Sequence, residues 1–319
     1  MKLQTIVPLQ KAEHPIDYSS KILLLGSCFV ENMGGKLDYF KFQQLQNPFG
    51  ILFHPLALEN LVERALSGKT YHVDEVFEQN GIWHCFDAHS DLNALSKEGL
   101  LNHLNQRLRE TKSELENATH VVITLGTAWV YGHQSLGKTV ANCHKVPQKE
   151  FKKRLLSPEE IQSSLNRLMD LVNQVNPKAN IIFTVSPVRH LKDGFVENQQ
   201  SKAHLISALW SLLSSRAQSR GVSYFPAYEI MMDELRDYRF YGEDLVHPNA
   251  LAVEYIWEKF KSVWISPDCY PVMDEVDGVQ KGLLHRPFNP DSEAHQTFRK
   301  SLRTKITYLQ ERYPFMKFE

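Results

Sequence analysis

The stretch Lys21-Ile22-Leu23-Leu24-Leu25-Gly26-Ser27-Cys28-Phe29-Val30 decides the fold. Its first five residues are almost wholly apolar, as in a strand buried on both faces of a parallel sheet. Past Gly26-Ser27 the spacing changes, and Phe29, Met33 and Leu37 recur every four residues, the spacing of a helix face. Ser27 therefore stands at a strand-to-helix turn. Working outward, His120–Leu125 and Asn180–Val185 read as further buried strands and Val222–Phe225 as a short fourth. Helical patterns cover 55–65, 100–115, 157–175, 198–217 and 249–264, the third opening on a capping box at Ser157-Pro158-Glu159-Glu160. Strand alternating with helix predicts an α/β fold, a three-layer α/β/α sandwich around a central parallel sheet.

The remaining segments punctuate this pattern. Gln46–Gly50 reads as a loop, 71–88 as a weak hairpin, and Gly132–Lys153 as a polar, irregular excursion over the surface. From Ser266 to Pro290 the chain is rich in Pro, Gly and Asp. A final helix over 292–313 carries Phe298, Leu302, Ile306, Leu309 and Tyr313 on one face. The expected division is a sheet domain over 1–265 and a C-terminal helical appendage over 266–319, packed on that domain or pairing two copies as a homodimer.

Composition narrows the function classes. The chain has 319 residues, is 42% hydrophobic and 23% charged, and has a formal net charge of −1. Near-neutral charge without a basic run gives no electrostatic case for nucleic acid. Residues 1–13 lack the features of a signal peptide, and no run approaches the ~20 apolar residues of a membrane helix. Cys28, Cys85, Cys143 and Cys269 are widely scattered, which reads as reduced thiols. The expectation is a cytoplasmic protein with no membrane partner.

In open parallel sheets, ligands bind beyond the carboxyl ends of the strands. That rule selects Ser27, Gly126-Thr127, Ser186 to His190, and the loop Asp244-Leu245-Val246-His247-Pro248-Asn249. A serine hydroxyl needs a base to become a nucleophile. Three residues on a turn let the Asp244 carboxylate fold back on the His247 imidazole, fix its tautomer and stabilise its protonated form. Taken singly, Gly26-Ser27 reads more readily as a helix cap, and Asp244 to His247 as a capping turn. Arg189 and His190 could bind a substrate carboxylate or sugar hydroxyls. Trp83, Trp129 and Tyr131 could line a sugar surface, or belong to the core. Cys28 is a rival nucleophile. His84-Cys85 and Cys143-His144 contain zinc-type ligands, but neighbours on a strand face opposite sides, so no metal is expected.

Together, Gly26-Ser27 after the first strand and Asp244-x-x-His247-Pro248 near the end of the sheet domain resemble the first and last sequence blocks of the SGNH/GDSL hydrolase superfamily. More closely, Gly26-Ser27-Cys28-Phe29-Val30 resembles the motif that names the GSCFA family, with Val30 in place of alanine. Leu125-Gly126-Thr127-Ala128-Trp129, Ala141-Asn142-Cys143-His144-Lys145 and Ser186-Pro187-Val188-Arg189 are similar to that family too. The resemblance spans roughly residues 1–265 and implies a flavodoxin-like sheet and a serine esterase without cofactor. Ser27, Asp244 and His247 would be catalytic, and the substrate a small acyl ester, such as acetyl on a carbohydrate. The superfamily's oxyanion donors are the serine N–H, a second-block glycine, here Gly50, and a third-block asparagine. Ala128 stands where that asparagine would be. Asn142 or the Thr127 hydroxyl is expected to replace it, with Arg189 contacting substrate. The missing asparagine also fits the alternative of a carbohydrate-binding or scaffold protein with little or no turnover.

Overall fold

The computed structural model describes residues 4–215 and 221–318. Five strands form the central sheet: β1 (Lys21–Gly26), β2 (Gln43–Gln46), β5 (His120–Leu125), β9 (Asn180–Val185) and β10 (Val222–Tyr224). All pair in parallel, in the order β10-β9-β5-β1-β2. The chain lays β2 on one side of β1 and then crosses to lay β5 on the other. The strand order therefore reverses between β1 and β5, and the crevice at such a reversal is where ligands bind.

Side chains alternate between the two faces of each strand. Leu23, Leu25, Val121, Ile123, Ile181 and Phe183 point into one core, covered by α2 (Pro55–Ser67), α3 (Lys97–Asn117), α4 (Pro158–Val175) and α5 (Phe195–Ser215). Ile22, Leu24, Val122 and Ile182 point into the other, covered by α1 (Phe29–Tyr39), α7 (Ala250–Trp264) and α8 (Tyr270–Leu284), with the single turn α6 (Ala227–Glu229) at its rim. The expected sandwich is present, and its three central strands β1, β5 and β9 are buried on both faces. The Ser157–Glu160 capping box forms as read, each side chain accepting from the other residue's N–H. The part of the expected 198–217 helix at residues 216–217 lies outside the described residues.

Three readings need correction. The edge strand β2 was not expected. The polar excursion is an ordered antiparallel sheet of β6 (Trp129–His133), β7 (Lys138–Val140) and β8 (Phe151–Leu155), beside the anticipated hairpin of β3 (Val76–Gln79) and β4 (Ile82–Cys85). The Pro- and Gly-rich stretch after Trp264 contains α8, whose Val272, Met273, Val276 and Val279 are buried in the second core. The last helix, α9 (Glu293–Arg312), lies against α8, with Leu302 contacting Gly282 and Leu309 buried. No helix among the described residues is long and apolar enough to cross a membrane.

Candidate active site

β1 ends where it does because of Gly26. Its φ is +137°, and a Cβ there would lie 2.1 Å from the Thr124 carbonyl oxygen, so only glycine fits. The turn is held further by the Asn47 side-chain oxygen, which accepts the Gly26 N–H at 2.9 Å. Cys28 then caps α1 and Phe29 plugs into the second core, fully buried. These constraints set Ser27 at the reversal point between β1 and β5. Ser27 is fully buried, and its hydroxyl has no hydrogen-bond partner.

The Asp244–His247 loop assembles as the spacing suggests. One carboxylate oxygen of Asp244 accepts the N–H groups of Val246 (2.9 Å) and His247 (3.0 Å), and the other lies 2.6 Å from His247 Nδ1. Those two backbone N–H groups, and then the imidazole, hold the Asp244 carboxyl down at about 2. Leu245 between them takes a left-handed conformation, φ 57°. Arg189 straps this loop to the end of β9: its guanidinium donates to the Leu245 carbonyl at 3.0 Å and packs over Tyr241. Bracing the loop takes one guanidinium nitrogen of Arg189, and its Nε is buried without a partner.

Most of the expected oxyanion donors are also engaged. The Ser27 N–H continues the β1–β5 pairing by donating to the Thr124 carbonyl at 3.0 Å. The Gly50 N–H closes a turn on the Asn47 carbonyl at 2.7 Å, and Gly50 faces a separate groove beside Glu31, Asp91 and Arg107. Glycine is required there for another reason: φ is +68° and a Cβ would meet His89 at 2.4 Å. The Thr127 hydroxyl accepts the Trp129 N–H and pairs with the Ser201 hydroxyl. Asn142 lines a cleft of about 620 Å³ with Phe53, Thr127, Trp129, Tyr131 and His190. Its side-chain oxygen accepts the His144 N–H at 2.8 Å, which orients the side-chain amide, whose NH₂ is a donor for a ligand. Trp83 lies outside this cleft, under Lys97 on the β3–β4 hairpin.

One residue beneath the site carries a role the sequence reading did not assign. Lys202 on α5 is fully buried and donates to the carbonyl oxygens of Gly126 (2.9 Å) and Ser186 (2.7 Å), tying together the ends of β5 and β9. Burial lowers its ammonium to about 7. Its neighbour Ser201 accepts the Ala128 N–H at 2.7 Å. The signal was present: Asn198, Lys202, Leu205, Leu209 and Leu212 fall on one helical stripe, and a lysine inside such a stripe is anomalous. His190, a substrate-binding candidate from the sequence, has a buried Nε2 without a partner. The rival nucleophile Cys28 sits at the same helix end, but burial, then Glu31, push its thiol up, away from the reactive thiolate. The rings of His84 and His144 approach to 4.9 Å, yet among the described residues no group of three or more His, Cys, Asp or Glu is placed to hold a metal ion.

A doubly wound parallel sheet, a serine at its reversal point and an Asp–His pair on a late loop define the class of α/β protein with its candidate site at the sheet's carboxyl edge. The chain belongs to the GSCFA family, whose pattern matches residues 21–260, and the C-terminal domain of GSCFA domain proteins matches residues 276–319. No curated protein matches. Among solved structures, an acetyl xylan esterase (Est2A) from the rumen bacterium Butyrivibrio proteoclasticus is similar at 11% identity and a TM-score of 0.38, over 77% of this chain. The chain spans 65% of that structure's length, and a likeness this distant bears on neither substrate nor reaction.

Proposed function

We propose that the protein is a serine esterase acting on small acyl esters, acetyl groups on a sugar or polyol foremost. The observation that carries this reading is the pre-assembled Asp244–His247 pair, 2.6 Å apart, on a sheet whose reversal point holds a serine hydroxyl with no partner. His247 takes the Ser27 proton as the hydroxyl oxygen attacks the ester carbonyl. The tetrahedral intermediate collapses to an acyl-Ser27, and His247 returns the proton to the departing alcohol. Water, deprotonated by His247, then releases the acid and restores Ser27. The step requires Ser27 and His247 Nε2 to close on each other when substrate enters, as catalytic contacts in empty sites often do. The cleft bounded by Phe53, Trp129, Tyr131 and Asn142 offers the mix of aromatic faces and a few polar groups that suits a sugar-sized leaving group. We infer a cytoplasmic setting from the four unpaired cysteines.

A fluorophosphonate probe tests the reading. Labelling is expected on Ser27 and absent in Ser27→Ala, together with hydrolysis of p-nitrophenyl acetate. An unlabelled wild-type protein sinks it. The second reading, a carbohydrate-binding or scaffold protein, draws on the full burial of Ser27 and on Ala128. It expects sugar binding without labelling.

A further inference from the structure

The unsolved part of the site is the oxyanion. Ala128 is fully buried, with its N–H on Ser201 and its carbonyl accepting from Leu156, so position 128 faces away from the chemistry. The Ser27 and Gly50 N–H groups and the Thr127 hydroxyl are engaged elsewhere. His190 remains. Its backbone N–H is fixed on the Asn198 side-chain oxygen at 3.0 Å, and its ring stands edge-on to Phe53 at 5.4 Å. The point where a Gly126 side chain would begin lies 3.1 Å from Ser27 Cβ and 3.3 Å from His190 Nε2. The Phe53 carbonyl oxygen lies 3.1 Å from the same point, so the absence of a side chain at Gly126 lets Ser27 and His190 Nε2 converge on one narrow position. Ser27 Oγ and His190 Nε2 are both buried and unpartnered, and they do not bond to each other. Leaving such an atom unpaired costs ~1–3 kcal/mol, which favours a third group between them.

A substrate carbonyl entering there, its carbon toward Ser27 and its oxygen toward His190, requires these neighbours to give way by a few tenths of an ångström or more. We propose that His190, on the loop after β9, donates from Nε2 to the developing oxyanion and stands in for the asparagine missing at position 128. The proposal rests on the esterase reading. Burial first, then the Lys202 ammonium and His247, hold the imidazole down at about 3. That favours the neutral ring, which carries one N–H, on Nε2 in the tautomer this role uses. Lys202, bonded to the carbonyls of Gly126 and Ser186, fixes the ends of β5 and β9 beside this position.

The experiment compares wild type, His190→Ala and His190→Gln in p-nitrophenyl acetate hydrolysis, pH profile and fluorophosphonate labelling, with circular dichroism to check folding. His190→Ala is expected to lower kcat by ~10²–10³, the cost of one oxyanion donor, with KM little changed. Ser27 should still label, more slowly, and the acid limb of the profile should stay in place. His190→Gln, which restores an N–H donor, should recover part of the loss even if the alanine variant folds poorly. Rates within threefold of wild type for both variants overturn the proposal, as does an acid limb that moves with His190, which would make it the base. A wild-type protein that neither labels nor hydrolyses overturns the esterase reading and this proposal with it. Indifferent His190 variants in an active enzyme overturn this proposal alone.

Discussion

Asp244 spends both carboxylate oxygens within four residues, two backbone N–H groups on one and the imidazole on the other. Asp244→Asn can keep the turn through its amide oxygen but offers His247 no anion. If the pair acts as a base, kcat should fall by ~10²–10⁴ with the fold unchanged, read from p-nitrophenyl acetate kinetics and circular dichroism. Because the carboxyl is held at about 2, loss of activity between pH 7 and pH 4 cannot come from protonating Asp244. This pair was legible in the sequence because its geometry is local. The approach of Ser27 and His190 was not, since it depends on β1, β5 and β9 lying side by side and on a glycine at 126 that lets both come close. The brace from Arg189 was not legible for a related reason: only the fold brings the Leu245 carbonyl beside it.

Among the elements, α5 matters most to the site, because its Ser201-Lys202 pair holds the β5 and β9 loops. Lys202→Met leaves two carbonyls without their donor and should lower stability by ~1–3 kcal/mol at pH 7, measured by urea unfolding. The pH dependence has a definite sign. With the native ammonium lowered to about 7 from an unfolded value of 10.5, the unfolded chain binds more protons between those values. Wild-type stability should therefore gain, relative to Lys202→Met, as pH rises through that window. The elements missed from sequence share a cause. β2, Gln-Gln-Leu-Gln, is a half-buried edge strand without an apolar run. β6 to β8 are short and interrupted by Gly132 and Gly137, and they find partners only in one another. In α8, Pro271 and Gly282 read as breakers. The proline sits harmlessly in the first turn, and a Cβ at Gly282 would come within 2.7 Å of Leu302.

At the scale of the molecule, the boundary drawn at residue 265 does not separate two cores. Met273 is buried with Trp257 and Phe29. Met273→Ala should lower the unfolding free energy by ~2–5 kcal/mol in a single transition that also abolishes the site, followed by near-UV circular dichroism and activity together. The apolar stripe of α9 is largely spent inside the chain, where Leu309 is buried and Leu302 and Ile306 pack on the second core. A homodimer through α9 would have to use the outward face bearing Tyr308. The β6–β8 insert departs at Ala128 and returns at Leu156, and the Leu156 N–H bonds the Ala128 carbonyl at 2.9 Å. The two ends of the excursion are thus stapled together, and one wall of the cleft hangs from a closed backbone junction. Such a junction makes the insert exchangeable: descendants of one scaffold can lengthen, shorten or replace this wall, and with it the leaving group they accept, while the sheet that carries Ser27 is inherited intact.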